Sequence, residues 1–226
     1  MTDEIVPGPR MVTKNDFLDE DGKPTTKLPY FLNPFSITNA SIITGSFNIG
    51  IASHLITTPL TFYLITTLHV SATQYSAYSA LKTIPWSMKF LWGMLSDEVP
   101  IASYRRKSWF AIGWLGFVSV MLGLAFTDAP DVNTIIGLMV LSTVLYLIAD
   151  VAADSMVIER VRWEKEFIKG SMQTSYYTIR SFGGLLGALL GALLYNTSTW
   201  GWGLTINQCF LLVALIILTT VFPSFW

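Results

Sequence analysis

Between Asp131 and Asp150 the chain carries no charged side chain, and Thr134–Ala149 reads TIIGLMVLSTVLYLIA. A run of that kind has to be removed from water along its whole length, either inside a large core or in a lipid bilayer. A helix crosses the roughly 30 Å hydrocarbon layer with about 20 residues, each adding about 1.5 Å. Six segments have the length and apolarity: Ser41–Leu68, Gln74–Ser96, Ser108–Phe126, Thr134–Ala153, Ser171–Tyr195 and Leu204–Phe222. They are too long and too evenly apolar for the alternation of a membrane β-barrel. The composition agrees: 52% of residues are hydrophobic and 13% charged, against about a quarter charged in a soluble domain. The fold class expected is therefore all-α membrane protein, with six transmembrane helices over residues 34–226. Residues 1–33, polar and broken by Pro and Gly, read as a disordered cytosolic tail. They lack the basic start and apolar core of a secretory signal, and their acids argue against an organelle transit peptide.

Charge orients the bundle. With the amino terminus in the cytosol, the inner segments hold Arg10, Lys14, Lys23, Lys27, Arg105, Arg106, Lys107, Arg160, Arg162, Lys165 and Lys169, while the outer loops hold no Lys or Arg. The positive-inside rule then places both termini in the cytosol. A sequon, NTS at Asn196, falls on an outer loop. The net charge of −1 gives no reason to expect nucleic acid. One cysteine, Cys209, cannot form an internal disulfide and reads as a buried hydrophobe. No HExxH, GxSxG or phosphate-binding loop is present, and His and Cys are too few for a metal cluster. Neither an enzyme, a metal site nor a cofactor is expected.

The informative residues are the charges inside the spans, because a charge in a bilayer costs several kcal/mol unless paired, hydrated or within reach of an interface. Arg180 lies near the middle of the fifth segment, too deep to reach either surface. Lys82 and Lys89 are seven residues apart and share a helix face, with Tyr75 and Tyr78 close to it. An inward position is the economical reading for both lysines, although Lys89 also has a stem long enough to snorkel to the cytosolic headgroups. Asp150 and Asp154 are one turn apart and face the same way, Asp150 the deeper of the two. Three bases against two acids leave a small positive excess that suits an anionic solute. Other features have packing explanations. Gly183, Gly187 and Gly191 repeat every four residues and admit a close neighbour. Pro59 and Pro85 are expected to kink their helices, His54 and Asn48 to be satisfied packing polars, and the tryptophans toward helix ends to anchor at the interface.

Four stretches carry a resemblance. GMLSDEVPIASYRRKS, with Gly93, Asp97, Arg105, Arg106 and Lys107, is similar to the loop between helices 2 and 3 of major facilitator transporters. IPWSMKFLWGMLSD (Ile84–Asp97), DVAADSMVIERVR (Asp150–Arg162) and GSMQTSYYTIRSFGGLLGALLG (Gly170–Gly191) resemble helix 2, the helix 4 exit and helix 5 of the folate-biopterin transporter family. Together the resemblance covers about residues 35–222. It implies one six-helix half of a major facilitator fold and a carrier for folate, pterin or a related organic anion, proton-coupled and working by alternating access. It implies solute contact at Lys89, Arg180 and Asp150, to which Lys82 is added as an inward lysine. It also implies a cytosolic gate of Asp97, Arg105, Arg106, Asp154, Glu159 and Arg160. Two positions depart from the pattern: Phe90 stands where the family often has Pro, and Lys82 is not part of it. The family has twelve spans in two halves, so the partners expected are the bilayer, the solute and either a second half or a second copy. The other function considered is a non-transporting half-carrier that scaffolds or regulates a relative. The plasma membrane is the expected location.

Overall fold

The computed structural model describes residues 33–99, 101, 106–128, 130–162, 164, 169–196 and 201–221. The expected tail, Arg105, the Thr and Ser of the sequon, Trp200 and Trp226 lie outside the described residues. Every regular element among the described residues is helical. A short turn of helix, Ile37–Asn39, leads into α1, Ala40–His54, and α2, Thr57–Phe62, follows after a two-residue turn. Pro59 has no N–H to give the Leu55 carbonyl, which explains the local irregularity between them. The chain then passes through one wide turn of π-helix at Tyr63–Thr67. The whole stretch Ala40–Thr67 is 28 residues, long and apolar enough to span a membrane.

The second segment is two helices, not one kinked helix. Ser71 caps α3, Ala72–Ser87, through a capping box in which its hydroxyl accepts from the Gln74 N–H and the Gln74 side chain accepts from its own. The helix ends at Met88 (φ −94°, ψ 12°), three residues after Pro85, and α4, Lys89–Glu98, starts at once. α5, Lys107–Phe126, and α6, Val132–Val161, run as unbroken helices of 20 and 30 residues. α6 extends eight residues past the end expected from hydropathy. At about 1.5 Å per residue it is about 45 Å long, more than the hydrocarbon thickness, so its charged end DSMVIERV continues the helix toward the aqueous side. α7, Ser171–Leu194, begins at Gly170, whose φ of 88° only glycine adopts at no cost. The Glu164 carboxylate accepts from the Gly170 and Met172 N–H groups at this helix start. α8, Ile206–Val221, completes the described chain. Among the described residues four stretches are long and apolar enough to cross a membrane, Ala40–Thr67, α5, α6 and α7; α8 is apolar but shorter.

The tightest pairing is α1 with α7, and glycine is the reason. A Cβ on Gly50 would sit 2.2 Å from the Arg180 carbonyl oxygen, and one on Gly191 2.2 Å from that of Leu55. A Cβ on Gly183 would sit 2.5 Å from the Phe47 carbonyl oxygen, and one on Gly187 3.3 Å from the Ile51 Cα. The two helices therefore meet backbone to backbone, as small-residue repeats allow, and the Ser46 hydroxyl donates across the seam to the Tyr176 carbonyl at 2.8 Å. α5 packs between α6 and α8 through Phe110, Trp114 and Phe117, whose rings meet edge to face at 6.0–6.3 Å. Tyr146 of α6 continues the stack to Phe117 and to Trp86 of α3. This aromatic core supports the side of α6 from which the acids project.

Candidate functional site

Asp150 is fully buried, a position no carboxylate occupies unpaired. α6 brings it to face both α4 and α7. Its Oδ2 accepts from Lys89 Nζ at 2.8 Å and its Oδ1 from Arg180 Nη1 at 3.0 Å. The Tyr176 hydroxyl, one turn before Arg180 on α7, stands 3.5 Å from the same Oδ1. Lys89 also donates to Asp154 Oδ2 at 2.7 Å. The ammonium lies over the Trp86 ring, 5.7 Å from its centroid. Two cations and two carboxylates thus form a closed, neutral cluster joining three helices. Lys89 is the first residue of α4, so the break at Met88 is what delivers its side chain to both acids.

A second group lies at the charged end of α6. Arg106 Nη2 is 3.3 Å from Asp97 Oδ1, its Nη1 pairs with Glu159, and the same Nη1 donates to the Ser155 carbonyl at 3.1 Å. One guanidinium therefore ties the end of α4, the start of α5 and the charged end of α6. Asp154, expected in this latch, pairs instead with Lys89, because it lies one turn after Asp150 on the same face of α6. Arg160 makes no ion pair among the described residues. Lys82 is half-buried on α3 and likewise makes none, so the positive excess anticipated from the sequence resides on this one lysine. Its face of α3 also carries Tyr78, buried with a hydroxyl that has no partner among the described residues. Tyr75, one turn back, shares a hydrogen bond with Thr61 at 3.0 Å.

Two cavities flank the cluster. One, of about 600 Å³, opens between α1, α3 and α7 and is lined by Ser53, His54, Trp86, Tyr177, Arg180 and Ser181 among others. The other, of about 450 Å³, lies between α6 and α7 toward the charged end of α6, lined from Asp154, Tyr176 and Tyr177 to Arg162 and Lys169. His54, expected as a packing residue, holds its Nδ1 3.1 Å from the Gly50 carbonyl and stands exposed on the wall of the first cavity. Sequence reasoning also passed over Tyr176 and Tyr177, and read Trp86 as an interfacial anchor. Their only signal was spacing: Tyr176 and Tyr177 stand four and three residues before Arg180, and Trp86 three before Lys89.

Helices that cross an apolar layer while closing over buried ion pairs and polar cavities define an all-α integral membrane protein with a polar interior. A family model described as the BT1 family matches residues 49–223, and the chain belongs to that family. Among curated proteins it is 32% identical to the folate-biopterin transporter of Synechocystis sp., over 74% of this chain and 32% of the relative. It is 32% identical to the probable folate-biopterin transporter 4 of Arabidopsis thaliana, over 59% of this chain and 28% of the relative. Probable folate-biopterin transporter 2 of the same plant is 27% identical over 66% and 30%. The chain thus spans about a third of the length of the curated relatives it matches. No solved structure matches it.

Proposed function

We propose that the chain is one six-helix half of a major facilitator carrier that moves folate, pterin or a related small organic anion by proton-coupled alternating access. What supports this is the cluster of Lys89, Asp150, Asp154 and Arg180. A bilayer protein with no use for charge in its spans gains nothing from holding four together, Asp150 fully buried and the other three partly so, since an apolar core of the same volume is at least as stable. The relatives' names point to the solute class. In this mechanism the anionic end of the solute meets Arg180 and the unpaired Lys82, which lies about 10 Å outward of Lys89 along the helix axis. A proton on Asp150 releases Lys89 and Arg180, and the helices exchange partners. The Asp97–Arg106–Glu159 group opens and closes the cytosolic side, with Arg105 and Arg160 beside it. The cavity beside α1, α3 and α7 is completed by a second half or a second copy of the chain. The plasma membrane is the location, with both termini in the cytosol.

The test is uptake of radiolabelled folic acid and biopterin by cells producing the chain, with surface protein quantified in parallel. Asp150→Asn and Arg180→Ala are expected to reduce uptake at least tenfold while the protein stays in the membrane. Normal uptake by both variants overturns the mechanism. No flux from a monomeric wild-type chain favours the non-transporting scaffold instead.

A further inference from the structure

Two bases near the junction of α6 and α7 have no partner. Both helices are long and apolar enough to cross a membrane, so the end of α6 and the start of α7 lie at one membrane surface. Arg162 caps α6, and Lys169 immediately precedes Gly170, where α7 begins. Both side chains are exposed and line the cavity between the two helices. Neither makes an ion pair or a side-chain hydrogen bond among the described residues. Basic residues beside a span often do no more than set its orientation. These two differ because they converge on one cavity whose acids are already engaged. Asp154 pairs with Lys89. Glu164 gives Oε2 to the Gly170 N–H and Oε1 to the Met172 N–H, so the start of α7 answers its charge. Two positive charges are left to face a space of about 450 Å³, a setting that draws in an anion.

The rest of the wall sorts the anion. Val157, Ile158 and Val161 give an apolar side, and Gln173, in the first turn of α7, gives an amide donor. A guanidinium holds two phosphate oxygens through parallel N–H bonds, and a lysine adds a compact charge. A phosphomonoester carries about two negative charges near neutral pH, which matches two bases. We infer that Arg162, Lys169 and Gln173 form a binding site for a phosphomonoester in the cavity between α6 and α7, with the apolar part of the ester against Val157, Ile158 and Val161. The phosphate arrives either on a lipid headgroup or on a small soluble ester, and its recognition is the same. The site stands apart from the Asp150 cluster and does not depend on which solute the protein carries.

The experiment is equilibrium binding to the purified full chain in phosphatidylcholine nanodiscs, in two arms. One arm titrates fluorescent phosphatidic acid, a lipid phosphomonoester; the other titrates radiolabelled glycerol 3-phosphate in solution. Saturable binding is expected in at least one arm. Saturation by the lipid alone assigns a headgroup site, and saturation by the soluble ester assigns a site filled from the water. Arg162→Gln and Lys169→Gln are each expected to weaken that binding about fivefold, and the double variant about thirtyfold. Lys107→Gln removes the same charge from the exposed start of α5, where its neighbour Arg106 pairs with Glu159 of α6. Lys107 lies outside the cavity, so this variant is expected to bind like wild type. Phosphatidylserine, a phosphodiester, is expected to compete at least about fivefold less well than phosphatidic acid at equal surface charge. Absence of saturable binding in both arms overturns the inference. So does equal weakening by Lys107→Gln, or equal competition by phosphatidylserine, either of which means general attraction to a basic surface. Solute uptake plays no part in the readout, so failure here leaves the carrier reading standing.

Discussion

Asp150 is the residue on which the interior depends. Its two oxygens hold two cations from two different helices, so Asp150→Asn strips Arg180 of the carboxylate it pairs with. Breaking a buried pair from one side costs about 3 kcal/mol or more. Asp154→Asn leaves Lys89 its 2.8 Å contact with Asp150 and is expected to cost about 1 kcal/mol. Thermal unfolding of the two variants in detergent checks this; equal losses would mean the cluster is not centred on Asp150. That Asp150, Lys89 and Arg180 mattered was legible in the sequence because charge in an apolar span demands a partner. Which partners they choose was not. The register between α4, α6 and α7 is set by side-chain packing, and a single sequence does not display it. Asp154 was misplaced for a related reason: that it shares the face of Asp150 was plain, but that Lys89 reaches both acids was not. Tyr177 and His54 gave no sign, since an aromatic or a lone histidine at helical spacing is most often ordinary packing.

At the level of elements, the α1–α7 seam carries a sharp expectation. Gly50→Ala drives a methyl into the Arg180 carbonyl and the Gly184 backbone, neither of which can yield. It is expected to destabilise by about 1–3 kcal/mol, because it shifts the backbone that presents Arg180. Gly137→Ala on α6 meets nothing within 4 Å and should leave the melting temperature unchanged or slightly raised. A melting comparison of the two variants decides the matter; matched behaviour would refute backbone-to-backbone packing. The glycine repeat announced this seam in the sequence, since four-residue spacing of small residues has few other uses. The division of the second span into α3 and α4 was announced only as a kink. Proline removes one donor, but whether the helix bends or stops depends on what surrounds the next turn, here the Trp92 indole donating to the Pro85 carbonyl at 3.4 Å.

For the whole molecule, the distribution of basic residues predicts one orientation, and labelling checks it. In a background with Cys209 replaced, Lys107→Cys is expected to resist a membrane-impermeant maleimide in intact cells and to react after permeabilisation. Asp128→Cys, exposed beyond the opposite end of α5, is expected to react in both. The reverse pattern would invert the topology. The all-helical class and the apolar segments were readable from hydropathy alone, whereas the pairing of helices required the structure. One feature of the second span bears on how such a bundle moves. Lys89 sits at the fulcrum after Met88, and Asp97 sits eight residues further along the same short rod, about 12 Å away. Tilting that rod by about 20° carries Asp97 about 4 Å, enough to pull it off Arg106, while the root of Lys89 scarcely travels. The contact at the far end of α4 can therefore part while the one at its root still holds, and the two are free to open in sequence.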